Sequence, residues 1–201
     1  TTNVEVGIKA LYPQQATRFN ASLFNTTIDN QHYFIFVGEI GGQVLANVDE
    51  VKLMGGEFDF KTAITDSFDV YGGVGITDSE IKDFSLDPSH EGNKAPYVPD
   101  FTVNIGMQYN TEIIADWQTM FTLDAERRGE QFWDTANSSP REALTLVNGR
   151  IGFNSDDGQW SVNVWAKNIF DEKYNAEWVL GGYAHVGMPR TFGLEVRWTM
   201  E

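Results

Sequence analysis

The sequence predicts an all-β chain, an antiparallel up-and-down sheet of about nine strands with almost no helix. Three observations carry that expectation. Apolar and polar residues alternate with a period of two through most of the 201 residues. All six prolines fall between the alternating segments or at their first residues. The links between segments switch regularly from short to long.

The segments run in order along the chain. Val4, Val6, Ile8 and Ala10 alternate with Asn3, Glu5, Gly7 and Lys9. Two weaker segments follow at about residues 17–28 and 48–64. Phe68, Val70, Val74 and Ile76 then alternate with Asp69, Tyr71, Gly73 and Gly75. Phe101, Val103, Ile105, Met107 and Tyr109 repeat the pattern, as do Trp117, Thr119, Phe121 and Leu123. Val147, Ile151 and Phe153 form the next segment, then Trp160, Val162, Val164 and Ala166, and finally Phe192, Leu194, Val196 and Trp198. Successive side chains of an extended chain point to opposite faces, so each segment has one apolar and one polar face. No segment carries a 3.6-residue apolar stripe. Pro13, Pro88, Pro96, Pro99, Pro140 and Pro189 mark breaks, because proline cannot donate to a strand ladder.

The expected short links are residues 11–16, 65–67, 110–114 and 154–158. The expected long ones are residues 29–47, 84–98, 127–141 and 171–188. In an antiparallel meander this interleaving puts every short turn at one end and every long loop at the other. Outer-membrane barrels have that asymmetry, with short periplasmic turns and long extracellular loops. Aromatic residues agree. Phe68, Trp117 and Trp160 follow short turns, Tyr109 and Phe153 precede them, and Trp198 belongs to the same side. All six have the parity of the apolar face and would form a girdle at a membrane interface. The polar face would carry Glu5, Lys9, Arg18, Glu57, Asp59, Asp69, Asp116, Asp124, Arg150, Lys167, Glu195 and Arg197, turned toward water or a plug. The fold expected is thus an antiparallel transmembrane β-barrel portion with membrane lipid against its apolar face. An odd count of about nine strands, against the even count of single-chain bacterial barrels, makes a fragment the expectation.

Composition removes other classes. The net charge is −15 and no Lys/Arg run occurs, which excludes nucleic acid as a partner. The absence of cysteine removes disulfides and thiolate metal sites. No apolar run is long enough for a membrane helix. No catalytic constellation or cofactor motif is present, so an enzyme is not expected. His32, His90 and His185 are expected as separate, solvated loop residues, with no metal site. Asp78, Glu80 and Asp83 read as a solvated acidic rim, and Gly181-Gly182 is not a phosphate loop because no helix follows.

Several segments resemble a known family. Trp165-Ala166-Lys167-Asn168-Ile169-Phe170-Asp171-Glu172-Lys173-Tyr174 is similar to the penultimate strand of TonB-dependent receptors and its Asn-Leu-Phe-Asp-x-x-Tyr run. Pro189-Arg190-Thr191-Phe192-Gly193 resembles the opening of their last strand. Pro96-Tyr97-Val98-Pro99-Asp100-Phe101, Gly55-Gly56-Glu57-Phe58-Asp59-Phe60 and Asn3-Val4-Glu5-Val6-Gly7-Ile8-Lys9 resemble earlier strands, in family order. The resemblance implies that residues 1–201 are the C-terminal portion of a 22-stranded barrel in the bacterial outer membrane, without its plug domain and earlier strands. It implies active transport of a scarce nutrient, a ferric siderophore foremost, with the TonB complex engaging the missing plug. Two other readings stay open: a small complete barrel acting as pore or adhesin, and a secreted carbohydrate-binding β-sandwich.

Ligand contacts are expected in the long loops. Arg127, Arg128, Gln131, Phe132 and Trp133 combine arginine with aromatic rings. That set suits an anionic aromatic metal chelate through charge-assisted hydrogen bonds, stacking and cation–π contact. Trp178, Tyr183 and His185 in the last long loop are similar in kind. Asn168 and Asp171 are expected to hydrogen-bond the backbone where a strand leaves the rim.

Overall fold

A computed structural model describes residues 1–37, 40–179 and 183–200 of the chain. Its strands, in order, are β1 (Thr2–Tyr12), β2 (Thr17–Val37), β3 (Gly42–Thr65), β4 (Phe68–Asp83), β5 (Phe101–Ile114), β6 (Trp117–Arg128), β7 (Gln131–Phe132), β8 (Pro140–Arg141), β9 (Leu144–Ser155), β10 (Trp160–Lys167), β11 (Asn175–Val179), β12 (Tyr183–Val186) and β13 (Thr191–Trp198). Nine of them form one sheet in the order β1-β2-β3-β4-β5-β6-β9-β10-β13, with β1 and β13 as its two edges. The pairs β7–β8 and β11–β12 are separate two-stranded ribbons inside two of the long loops. Among the described residues, helix is confined to two short 3-10 turns, Pro13–Gln15 and Pro88–His90.

The register joins the apolar positions of neighbouring strands into one face. Ile8 pairs with Ala21, Ala21 with Phe58 and Phe58 with Val74. Val74 pairs with Val103; further along, Met107 pairs with Leu123, Phe121 with Ile151, Ile151 with Val164 and Val164 with Leu194. This face is bare. Val6 is 70% exposed, Ile76 61%, Ile105 55% and Leu194 66%. A soluble sheet would bury such a face under a second layer, so the β-sandwich expectation is overturned: among the described residues the sheet has one layer. The opposite face holds the polar groups. Asn20 Nδ2 donates to both oxygens of Asp59 at 2.9 and 3.1 Å, Lys61 pairs with Asp69 at 3.3 Å, and Asn148 Nδ2 donates to Asp124 at 2.7 Å. Arg150 Nε donates to Asn163 Oδ1 at 2.9 Å. Asp116, expected on this face, sits instead in the β5–β6 turn with a φ of 65°.

The expected aromatics gather at the short-turn end of the apolar face. The rings of Phe68 and Tyr109 are 6.5 Å apart, those of Tyr109 and Phe121 6.5 Å, and those of Trp160 and Trp198 6.0 Å. Tyr12, Phe19 and Phe58 continue the series toward β1 with separations of 5.9 and 6.2 Å.

Residues 29–47 are not the loop expected from the sequence. Residues 29–37 and 42–47 continue β2 and β3 into a hairpin that keeps one register from Thr17↔Thr62 to Val37↔Gly42, with Asn30 left out of the pairing. The 24 residues of β3 make roughly 80 Å of strand, against an apolar band of about 25 Å in outer-membrane barrels. The hairpin therefore stands well beyond that band. Asn30, with a φ of 53°, switches the alternation within it. Before the switch Ile28 faces a small buried cluster of Val48, Val51, Ile81, Phe84 and Ala95; after it Tyr33 and Ile35 do. Phe34, of opposite parity, is 63% exposed. Two further links differ in extent. β5 runs on through residues 110–114, and the segment 127–141 contains the end of β6 together with β7 and β8.

Candidate functional site

The long-loop end carries the only extensive side-chain architecture outside the main sheet among the described residues. Two loops, residues 84–100 and 129–143, are bound to each other along their length. Gly129 N donates to Phe101 O at 2.7 Å, Asp100 N to Glu130 O at 3.1 Å and Tyr97 N to Phe132 O at 2.8 Å. Asn137 bridges the loops twice, accepting from Lys94 N at 2.8 Å and donating to Lys94 O at 2.9 Å. Asn93 Nδ2 donates to Thr135 O at 2.9 Å. The 134–139 turn is tied by Asp134, which is buried. Its carboxylate accepts from Ser138 N at 3.0 Å and Ser139 N at 2.9 Å. Buried acceptors need such partners, and two backbone donors satisfy this one.

Aromatic rings pin this double loop to the β2–β3 hairpin. Tyr33 Oη donates to Trp133 O at 3.0 Å. The Trp133 ring is buried edge-on against Tyr97, 5.4 Å between centroids. Burial holds the Tyr33 hydroxyl above its ordinary pKa, with the nearby Tyr97 and Asp134 acting in the same sense. Tyr97 is raised by burial too, and by Glu177. His90 is not the solvated residue expected: its ring stacks on Phe84 at 6.0 Å and meets Thr135 Oγ1 at 3.0 Å. His32 is exposed on a strand, and His185 Nδ1 lies 2.7 Å from Glu177 Oε2. Among the described residues no cluster could hold a metal ion. Lys94 reaches Asp78 at 2.6 Å and Asp100 at 3.4 Å, and the hydrogen bond to Asp78 raises its pKa.

Two cavities open in this layer. The first, about 640 Å³, is walled by Tyr33, Phe34, Phe84, Tyr97 and Trp178, with Asp87, Asp134 and Glu177 as its carboxylates. The second, about 560 Å³, lies between the 129–143 loop and the 171–189 segment and is walled by Trp133, Arg141, Leu144, Lys173 and Tyr174. Both have the size of small-molecule sites.

The expected ligand residues are dispersed. Trp178 lines the first cavity and Trp133 the second. Arg127 and Arg128 are separated, because consecutive strand residues point to opposite faces. Arg127 shares the apolar face with Leu123 and donates to Thr145 Oγ1 at 3.0 Å. Arg128, on the polar face, makes two bonds to Glu126, at 2.6 and 3.1 Å. Gln131 and Phe132 are held in the β7–β8 ribbon opposite Arg141 and Pro140. Tyr183 and His185 lie on β12 and are exposed. Gly181-Gly182 lies outside the described residues. Sequence reading missed Tyr33, His90, Tyr97 and Arg141, whose environments arise from contacts distant along the chain.

The segment after β10 is organised as expected. Asn168, buried, accepts from Glu172 N at 2.8 Å and donates to Glu172 O at 2.9 Å and Met188 O at 3.0 Å. Asp171 Oδ1 accepts from Arg190 N at 2.9 Å. Both residues have positive φ, 49° and 55°, a conformation Asn and Asp tolerate better than most.

Comparison with known proteins places this geometry. A family model described as TonB dependent receptor-like, beta-barrel matches residues 1–169. The ferric yersiniabactin uptake receptor FyuA from Yersinia pestis superimposes with a TM-score of 0.82 at 20% identity, over 98% of this chain and 29% of that one. The siderophore receptor PiuA from Acinetobacter baumannii gives 0.76 at 20% identity, over 98% and 28%. BauA, the ferric preacinetobactin receptor of the same organism, gives 0.76 at 19% identity, over 96% and 28%. The chain thus spans under a third of the length of each of these structures, and the likeness is one of fold.

Proposed function

Since the chain belongs to the TonB-dependent receptor β-barrel family, we propose that it is the C-terminal barrel portion of an outer-membrane active transporter, about nine of 22 strands. On this reading the complete protein binds a scarce nutrient outside the cell, a ferric siderophore foremost, and imports it with energy delivered by TonB through the plug. The observation that carries the reading is the bare apolar face joined in register across nine strands, with polar groups on the other side.

The length of β6 supports a setting of the membrane levels. Trp117 and Arg127 share its apolar face ten residues apart. That is roughly 33 Å of strand, or about 25 Å of height at a tilt of about 40°, which is the height of the apolar band. Phe68, Tyr109, Trp117, Phe153, Trp160 and Trp198 then lie at the periplasmic headgroup boundary, and Arg127 reaches the opposite one. The loop layer is extracellular. Trp178 and Trp133 line the two cavities in which ligand would sit, while Arg128, Gln131, Phe132, Tyr183 and His185 stand at the same rim. The three solved receptors compared above are each described by a ferric or siderophore ligand, which supports iron as the cargo.

The test is uptake of radioactive iron by cells whose only receptor is the complete protein, supplied with a panel of ferric hydroxamate, catecholate and carboxylate complexes. Accumulation that depends on the receptor and on TonB is expected for one class. Accumulation of none, or accumulation unchanged without TonB, contradicts the reading. Alanine at Arg127 and Arg128 tests their roles separately: Arg128→Ala is expected to weaken uptake and Arg127→Ala to leave affinity unchanged.

A further inference from the structure

Arg141 is the anomaly of the loop layer. Its residue surface is 8% exposed, yet among the described residues no carboxylate oxygen pairs with it. Its guanidinium makes one hydrogen bond, from Nη2 to Gly129 O at 2.8 Å, and its Nε has no partner. The natural counter-ion would be Glu126, but Arg128 occupies both oxygens of that carboxylate. Burial and the Arg128 charge act against the Arg141 cation, while the Glu126 and Tyr174 charges act for it. A buried charge is strongly unfavourable unless it is paired. In a chain of net charge −15, a buried arginine with no carboxylate at ion-pair distance among the described residues is a position left for an anion from elsewhere.

The surroundings say which anion. Arg141 forms part of the wall of the cavity of about 560 Å³, beside Trp133, Leu144, Lys173 and Tyr174. Lys173 lines it too but is 87% exposed and lies 3.8 Å from Asp171, which leaves Arg141 as the buried cation of the wall. Glu142, Asp171 and Glu172 line it as well. A multiply charged phosphate would meet those three carboxylates, whereas a single carboxylate group matches the one unneutralised cation. The planar fork of a guanidinium also fits a carboxylate better than any ammonium does. Trp133 and Tyr174 are part of the same wall and give it apolar surface for a ligand body.

We propose that this cavity binds a carboxylate-bearing ligand, with Arg141 as the anion anchor and Trp133 and Tyr174 as its apolar walls. The proposal rests on the reading that the loop layer is the extracellular ligand-binding end, and it adds Arg141 to Arg128 as a residue that recognises ligand charge.

The probes are 4-fluorobenzoate, its neutral counterpart 4-fluorobenzamide, and 4-fluorophenyl phosphate. Each is added to the complete receptor in detergent and followed by fluorine NMR, with empty micelles as the blank. Saturable binding is expected for the benzoate and not for the benzamide, with the phosphate weaker than the benzoate. Loss of a charge-assisted bond in Arg141→Gln should weaken benzoate binding about tenfold or more. Arg141→Lys, which keeps the charge and loses the fork, should fall between. Equal binding of benzoate and benzamide, tighter binding of the phosphate, or an Arg141→Gln receptor that binds benzoate like the wild type would each overturn the proposal. The wild-type comparison needs no variant, so the proposal stays open to refutation if Arg141→Gln does not fold. Iron uptake is scored apart. Carboxylate binding without iron uptake would count against the transporter reading alone, and iron uptake without carboxylate preference against this one alone.

Discussion

The Tyr33 hydroxyl donates to the Trp133 carbonyl at 3.0 Å, across 100 residues of sequence. Strands β3, β4, β5 and β6 lie between the two in the sheet, so the bond can close only where the loops lean over one face. It couples the β2–β3 hairpin to the double loop that walls both cavities. Tyr33→Phe removes this one bond and keeps the packing, at a cost of about 1 kcal/mol. Hydrogen exchange should then quicken in residues 129–139 and stay unchanged in β4 and β5. Faster exchange throughout the sheet would contradict the local coupling.

Asn168 is expected to matter more to stability than any loop aromatic. It is buried and makes three side-chain hydrogen bonds that join residues 172 and 188. Asn168→Ala loses all three and places a Cβ-bearing residue without a compensating amide at positive φ, for roughly 3 kcal/mol. Asn168→Gly relieves the backbone term only and should lie between. Heat-dependent electrophoretic mobility of the folded barrel orders the three proteins; equal mobility shifts would contradict the assignment.

Asp171 gives a pH dependence with a definite sign. The Arg190 backbone N–H holds its carboxyl below the usual carboxylate range. A lowered folded value means the contact contributes fully above the unfolded carboxylate value of about 3.9 and is lost as pH falls through the lowered one. The protection factor of the Arg190 amide should therefore be flat from about pH 5 to 8 and drop only in stronger acid. A drop near neutrality would contradict it.

Gly106 and Tyr71 are opposed across β4 and β5, and a Cβ at Gly106 would come 2.4 Å from the Tyr71 ring. The ring occupies the space that glycine leaves open. Gly106→Ala should destabilise by about 1–3 kcal/mol, and Tyr71→Ala in the same chain should remove most of that loss. Additive effects in the double mutant would contradict the packing. Gly193 and Trp165 repeat the arrangement on β13 and β10, where the Cβ would come 2.5 Å from the ring.

The sheet was legible because its signal is local and repeated. Each of the nine strands carries its own alternation, and the register joins those apolar sets, with shifts only near strand ends, at Ala63/Thr65 and Thr111/Ile114, and at Glu50/Val51. The hairpin beyond residue 28 was illegible for a physical reason. Asn30 inverts the alternation, and the run Tyr33-Phe34-Ile35 mixes a packed face with an exposed one. Asn168 and Asp171 could be read in advance because their bonds are made mostly to backbone close by or at the next strand's entry. Arg127 and Arg128 looked like a pair in sequence and are not one in space, since a strand divides neighbours between faces. Arg141 gave no signal at all. Its significance lies in what it fails to touch, and that depends on Glu126, Arg128 and Gly129 all being in place.

The central claim is which way the two faces look. The chain has no cysteine, so single spin-labelled cysteines can be placed without background, provided the rest of the receptor is cysteine-free. Labels at Val6, Ile105, Val164 and Leu194 on the apolar face, and at Gln108, Thr122 and Ser161 on the polar face, are compared in the complete receptor in lipid vesicles. Collision with dissolved oxygen, which concentrates in acyl chains, should dominate at the first four, and collision with a water-soluble nickel chelate should dominate at the other three. Nickel collision dominating at Ile105 and Val164, or both reagents excluded there, would contradict a lipid-facing barrel wall.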